Sequence, residues 1–210
     1  MSWGQPIQNE QALLGTTSMK KWFASKLLWL LGWKLEGEKP TYRRYVLIAA
    51  PHTSNWDFPL MLLFAAAFDI KVTWMAKHTL FNPLMGWFMR ATGGMPIKRH
   101  SGGNVVAGMV EEFAEVTDLV LVIPTEATRA LAQYWKSGFY HIAREAGVPV
   151  VPSFLDFGQR RGGFGPAIEL SGNVVEDMQY FRDFYQGMQG KFPEQFGPIR
   201  LRDEEGDDTA

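Results

Sequence analysis

Residues 45–68 read YVLIAAPHTSNWDFPLMLLFAAAF, two apolar runs separated by a short polar segment. The first run, residues 45–50, has the length and apolar character of a strand. The second, residues 56–68, predicts a buried core helix, because a span across a bilayer takes about 20 apolar residues. This stretch therefore predicts a strand that leads through a polar turn into a helix.

Strand-like and helix-like segments alternate along the rest of the chain. We predict strands at residues 71–75, 95–98, 119–123, 148–157 and 166–170, helices at 80–91, 103–116 and 138–146, and a hairpin tip at 160–163. Such alternation indicates an α/β fold, a mostly parallel mixed sheet flanked by helices. A length of 210 residues suits a single domain and is tight for two cores.

The composition excludes several classes of protein and of site. Apolar residues make up 46% of the chain, which excludes wholesale disorder. A net charge of -1 argues against a nucleic-acid binder that relies on a basic surface. The absence of cysteine excludes disulfides, thiolate metal sites and a cysteine nucleophile. His78, His100 and His141 lack metal-ligand spacing, so we predict no metal site.

The two ends of the chain differ from its middle. Residues 1–17 are polar and lack the features of a signal peptide. We predict an amphipathic helix at residues 18–36, a main domain at residues 37–200 and an acidic disordered tail at residues 201–210.

Three tryptophans of the amphipathic segment share one helical face. Trp22, Trp29 and Trp33 are spaced by seven and four residues, with lysines interspersed. One interpretation is that this face lies in a membrane interface, which places the protein peripherally on the cytoplasmic face of a membrane. The other is that the face packs on the domain's own core.

The polar segment of the opening stretch carries a candidate catalytic pair. His52 follows a strand at the edge where ligands of α/β sheets bind, and Asp57 lies five residues later. A turn between them would let Asp57 accept the Nδ1 proton and leave Nε2 to take a proton from a substrate hydroxyl. The alternative is an ordinary helix start, capped by Ser54 or Asn55, in which His52 has no catalytic role.

Five segments in order resemble the blocks of the glycerolipid acyltransferases, the family of 1-acylglycerol-3-phosphate acyltransferases. They are HTSNWD at 52–57, which has the H-x4-D pattern, GMPIKR at 94–99, PTEATR at 124–129, WKSGF at 135–139 and VPVVP at 148–152. The resemblance covers about residues 45–170. Several ordered blocks are far more specific than any one of them.

The resemblance implies an O-acyltransferase of phospholipid biosynthesis. It would move a fatty acyl chain from acyl-CoA or acyl carrier protein to a hydroxyl of a lysophospholipid such as 1-acylglycerol 3-phosphate, without a further cofactor. It implies that His52 is the general base and that Asp57 orients it. The substrate-binding residues that it implies are Arg99, Glu126, Thr128, Arg129, Val148 and Pro149.

The third block departs from the family pattern at two positions. Thr125 stands where proline is expected, and Ala127 where glycine is expected. If the glycine has positive φ, an alanine there costs on the order of 1 kcal/mol. We predict that activity is retained with an altered acceptor preference. A catalytically silent lipid-binding module and a thioesterase, in which His52 activates water, are the alternative functions.

Overall fold

A computed structural model of the protein describes residues 8–83, 85–97 and 105–205. These residues include the strands β1 (Lys34–Glu36), β2 (Arg44–Ala49), β3 (Thr73–Lys77), β4 (Gly94–Ile97), β5 (Leu119–Pro124), β6 (Val150–Asp156) and β7 (Arg161–Phe164). They form one sheet in the order β1-β7-β6-β2-β5-β3-β4. Only β6 and β7 pair antiparallel in this sheet. The predicted single-domain α/β fold with a mostly parallel sheet is confirmed.

Helices cover both faces of the sheet. They are α1 (Gln8–Leu30), α2 (Asp57–Ala67), α3 (Gly86–Ala91), α4 (Val105–Glu115), α5 (Gly138–Ala146) and α6 (Val174–Tyr185). Buried side chains of α4, α5 and α6 pack with one face of the central strands. Buried side chains of α2 pack with the other face, and α1 packs on α2. The central strands are therefore apolar on both faces, as β2 illustrates: Val46 and Ile48 belong to the first layer, Tyr45 and Leu47 to the second.

The register of β2 and β5 brings two loops together. Ala49 at the end of β2 pairs with Pro124 at the end of β5, and the strands are parallel. The residues that follow both strands therefore leave the sheet at the same edge. This is the carboxyl edge, where ligands bind in open α/β sheets.

The N-terminal helix differs from its prediction in both bounds. It begins at Gln8 rather than at residue 18 and ends at Leu30, and residues 34–36 form β1 instead of continuing the helix. Among the described residues, no helix combines the length and the apolarity that crossing a membrane requires.

Trp33 lies in the core, which corrects the predicted three-tryptophan face. Gly32 has φ +77°, and the Trp33 amide donates to the Leu28 carbonyl at 2.8 Å, so the chain reverses and turns Trp33 inward. Its ring packs edge-on against Phe64 and Phe157. Trp22 and Trp29 remain exposed.

The predicted hairpin tip at residues 160–163 is wrong by three residues. The turn is formed by residues 157–160, and Arg161–Phe164 is strand β7. The Asp156 carboxylate fixes this earlier turn because it accepts hydrogen bonds from the amides of Gly158 and Gln159. The predicted strand at 166–170 is reduced to a single bridge between Ile168 and Val150.

The helix predicted at residues 80–91 is shorter than expected. Residues His78–Leu80 form a 3-10 turn, and α3 begins only at Gly86. Pro83 explains the difference, since proline is tolerated at a helix start but not in a helix interior.

The predicted disordered tail is partly ordered. Leu201 is fully buried and forms a bridge with Trp135, and Arg202–Glu205 form a 3-10 helix. Glu204 accepts a charge-assisted hydrogen bond from Arg182 at 2.7 Å. Pairing with arginine lets these acidic residues pack on the domain, which their composition alone does not indicate. Residues 206–210 lie outside the described residues.

Candidate active site

A histidine–aspartate pair lies at the carboxyl edge of the sheet. His52 Nδ1 lies 3.1 Å from Asp57 Oδ2. The Asp57 side chain is buried, whereas the His52 ring reaches the surface of a cavity. With Nδ1–H donated to the carboxylate, Nε2 is left as the proton acceptor of a ring that lines the cavity. The pair thus has the arrangement of a general base with its orienting carboxylate.

The start of α2 fixes Asp57 in this position. Asp57 is the first residue of the helix, and its Oδ2 also accepts the Ser54 amide at 2.9 Å. The positive end of the helix dipole stabilises a carboxylate there. Ser54 Oγ accepts the Trp56 amide, so the segment forms both the helix start and the His52–Asp57 pair.

Glu126 holds the loop that carries His52. It follows β5, is 2% exposed, and its carboxylate oxygens accept the His52 backbone amide at 3.0 and 3.3 Å. Burial raises the pKa of Glu126 to about 7. The resemblance implies an acceptor-binding role for Glu126, but the structure places its carboxylate against the base loop.

A largely apolar cavity of about 620 Å³ begins at the histidine–aspartate pair. It extends between the sheet and α2, and its volume is typical of small-molecule sites. Its polar lining consists of His52, Asn55, Asp57, Arg129 and Ser153. Its apolar lining includes Phe58, Met61, Phe64, Trp74, Met75, Met89, Val122, Phe154, Leu155 and Phe164. The arrangement suits a ligand with one reactive polar end and a long apolar part.

Arg129 is the cation of this cavity among the described residues. Its side chain is exposed and no carboxylate of the described part of the chain pairs with it. Thr128 is also exposed, and its hydroxyl accepts the Ala130 amide. Arg99 lies outside the described residues. The structure therefore brings Arg129 to His52 and Asp57, and leaves Arg99 a prediction.

Val148 and Pro149 do not belong to this site. They precede β6 and therefore lie at the amino edge of the sheet, opposite His52, where they line a separate open depression with Arg43. The part of β6 that reaches the site is its carboxyl half, which includes Ser153 and Phe154. The direction of a parallel strand explains the difference, since only its last residues face the ligand edge.

Ala127 adopts a backbone conformation that favours glycine. Its φ is +55°, in the turn closed by the hydrogen bond from the Ala127 amide to the Pro124 carbonyl. Left-handed backbone at a non-glycine residue costs about 1 to 2 kcal/mol. The neighbouring Thr125 hydroxyl is buried and has no hydrogen-bond partner among the described residues.

We expect Ala127→Gly to stabilise the protein by about 1 kcal/mol, which raises Tm by roughly 2 to 4 °C in a domain of this size. Thermal unfolding measures the shift. Ala130→Gly is the matched control, because Ala130 lies in the same exposed loop without positive φ. Stabilisation by both substitutions, or by neither, would contradict strain at Ala127.

The buried Glu126 predicts a pH-dependent stability. Its pKa is about 7 in the folded protein, against an ordinary value of 4.5, so the folded state binds the proton more tightly. The free energy of unfolding should therefore decrease as pH rises from about 4.5 to about 7. Glu126→Gln removes this titration, so its free energy of unfolding relative to the wild type should rise between pH 5 and pH 8, by about 3 kcal/mol at most, and its Tm should rise in the same direction.

Thermal unfolding of both proteins at pH 5 and pH 8 provides the measurement. Glu111→Gln is the control, since Glu111 is exposed on α4. A Tm difference between Glu126→Gln and the wild type that is independent of pH would show that Glu126 does not bind its proton in this range.

Comparisons with known proteins agree with this geometry. The family model described as Acyltransferase matches residues 33–156, more than half of the chain. The crystal structure of the 1-acyl-sn-glycerophosphate (LPA) acyltransferase, PlsC, from Thermotoga maritima is similar, with a TM-score of 0.58 and 18% identity over 89% of this chain and 86% of that chain. At this identity the similarity shows the fold. A search of curated proteins finds no match.

Proposed function

Since the chain belongs to the acyltransferase family, we propose that it transfers a fatty acyl chain from acyl-CoA or acyl carrier protein to a hydroxyl of a lysophospholipid such as 1-acylglycerol 3-phosphate. The observation that carries the proposal is the His52–Asp57 pair at the opening of a largely apolar cavity that Arg129 also lines. The site therefore combines a base, a cation and an apolar volume.

The proposed reaction needs no cofactor, because a thioester is already an activated acyl group. His52 Nε2 takes the proton of the acceptor hydroxyl while the hydroxyl oxygen attacks the thioester carbonyl. The carbon–sulfur bond then breaks, an ester forms, and the leaving thiolate receives the proton from His52. Asp57 stabilises the imidazolium that exists between these two steps.

Arg129 is proposed to bind the acceptor's phosphate. A guanidinium binds a phosphate with two parallel hydrogen bonds, which fixes both its position and its orientation. Such a contact would hold the glycerol hydroxyl near His52. Arg99, whose role rests on the sequence alone, is proposed as a second phosphate ligand.

The apolar cavity is proposed to receive an acyl chain. Its wall between α2 and the sheet consists of aliphatic and aromatic side chains, including Met61, Phe64 and Phe164. Burial of a methylene group contributes about 0.8 kcal/mol, so a long chain binds there far better than a short one.

Incubation of the purified protein with labelled acyl-CoA, with and without lysophosphatidic acid, tests this function. Acylated lipid that forms only with both substrates is the expected product. Free fatty acid would identify a thioesterase instead, and no turnover would identify a lipid-binding protein. Acyl carrier protein charged with the same chain determines the donor.

The exposed side of α1 is proposed as the contact with a membrane surface. Trp22 is 63% and Trp29 73% exposed, and large apolar side chains at Met19, Phe23 and Leu30 are exposed as well. Ala24 and Leu28, on the other side of the helix, are buried in the cluster that includes α2. The helix thus packs on the core through one side while the other presents aromatic side chains, as interfacial helices do. We propose that the protein attaches peripherally in this way to the cytoplasmic face of a membrane.

Trp22→Ala combined with Trp29→Ala should weaken binding to vesicles of anionic phospholipid at least about tenfold, because each ring buries a large apolar area. Vesicle co-sedimentation gives the partition coefficient. The control is Trp87→Ala, which removes a tryptophan of similar exposure from α3. An equal loss in the control would contradict a contact centred on α1.

A further inference from the structure

The segment after α6 contacts the loop that carries His52, although it lies outside the region that the family model matches. We call residues 189–195 the brace. The Phe192 amide donates to Thr53 Oγ1 at 3.2 Å, next to the base. Gly190 is buried against the same side chain, so closely that a Cβ on it would lie 2.5 Å from Thr53 Oγ1. Thr53 is 2% exposed, so the brace covers it.

The brace also joins the base loop to the loop of Arg129. The side-chain amide of Gln195 lies next to two backbone carbonyls, and because both are acceptors, its nitrogen faces them. It donates to Thr53 O at 3.0 Å and to Arg129 O at 2.5 Å. One amide therefore connects the residue after the base to the proposed phosphate ligand.

The other end of the brace is fixed to the sheet. The Phe157 amide donates to the Gln189 carbonyl at 2.8 Å, and the Gln189 amide donates to Asp156 Oδ1 at 3.3 Å. Asp156 ends β6 and is 1% exposed. The brace thus extends from a buried strand end to both loops of the site.

We propose that Thr53 and Gln195 are positioning residues, which hold the His52 loop and the Arg129 loop at a fixed separation through the brace. Transfer requires that the acceptor's hydroxyl reach His52 while its phosphate contacts Arg129, so this separation determines whether both contacts form at once. The effect of this separation on acyl transfer rests on the proposed function, whereas the role of the brace in holding the two loops does not.

Three variants test the proposal. Thr53→Val keeps the shape of the side chain and removes the acceptor of the Phe192 amide, and Thr53→Ser keeps that acceptor. Gln195→Met keeps the length of the side chain and removes both donated hydrogen bonds. Gln179→Met is the matched control, because Gln179 is exposed on α6 and its side chain bonds only to other α6 residues.

Hydrogen exchange of the amides of residues 52–57 measures the loop directly. We expect Thr53→Val and Gln195→Met to accelerate this exchange about tenfold, with wild-type rates in Thr53→Ser and in the control. The kinetic expectation is a decrease of about tenfold in kcat, with KM for the acyl donor unchanged and Tm within about 3 °C of the wild type. If Thr53→Val does not fold, Gln195→Met decides alone.

Three results would overturn the proposal: wild-type exchange in every folded variant, accelerated exchange without loss of kcat, or a Thr53→Ser protein as impaired as Thr53→Val. A wild-type protein that transfers no acyl group contradicts the proposed function, and the exchange measurement still supports or overturns the brace.

Discussion

His52→Ala should lower kcat for acyl transfer about 10²- to 10⁴-fold, the range that a positioned general base contributes. Without the imidazole, the cavity loses the base that is proposed to take the acceptor's proton as its oxygen attacks the thioester. Formation of labelled diacyl lipid at saturating acceptor and donor measures the effect. Tm should remain close to that of the wild type, because the His52 ring contributes one wall of a cavity rather than core packing.

The control for this experiment is His141→Ala. His141 is half-exposed on α5, near Asp203, and lies outside the cavity. It should transfer acyl groups at the wild-type rate. A His52→Ala protein that retained near-full transfer would refute the mechanism. If His52→Ala lost its fold together with its activity, Asp57→Asn, which preserves the shape of the pair, would be the variant that tests the mechanism.

The His52–Asp57 pair could be predicted because its determinants are local. A strand end, a five-residue separation and a following helix are all visible in residues 45–68. The contact between Glu126 and the His52 amide has no local signal, since it depends on the register of β2 against β5. The resemblance to a family block indicates Glu126, but its contact with the base loop depends on the sheet.

The predictions that the structure corrects depend on where an element ends or on the direction in which it runs. A helix continued to residue 36 would place Trp33 beside Trp29, whereas the turn at Gly32 moves it into the core. The family block that contains Val148 predicts that the whole block contributes to the site, whereas the direction of β6 places only its later residues there. No sequence pattern indicates Gln195, because it lies far from every block and contacts Thr53 only through tertiary packing.

Arg129→Ala should lower kcat/KM for 1-acylglycerol 3-phosphate about 10- to 100-fold, which corresponds to the 1.5 to 3 kcal/mol of a charge-assisted hydrogen bond. The loss should appear mainly as a higher KM for this acceptor, because the guanidinium lines the cavity and no described carboxylate competes for it. Arg129→Lys keeps the charge without the planar fork and should give an intermediate value.

The acceptor series separates phosphate recognition from general damage to the site. With monoacylglycerol, which has the same hydroxyl and no phosphate, Arg129→Ala should differ from the wild type by less than about threefold, since no charged contact is lost. Arg43→Ala serves as the control, because Arg43 is exposed, pairs with Asp118 and lies at the opposite edge of the sheet. An equal loss with both acceptors would show that Arg129 supports the shape of the loop, and the phosphate would then have to be bound elsewhere, with Arg99 the next residue to replace.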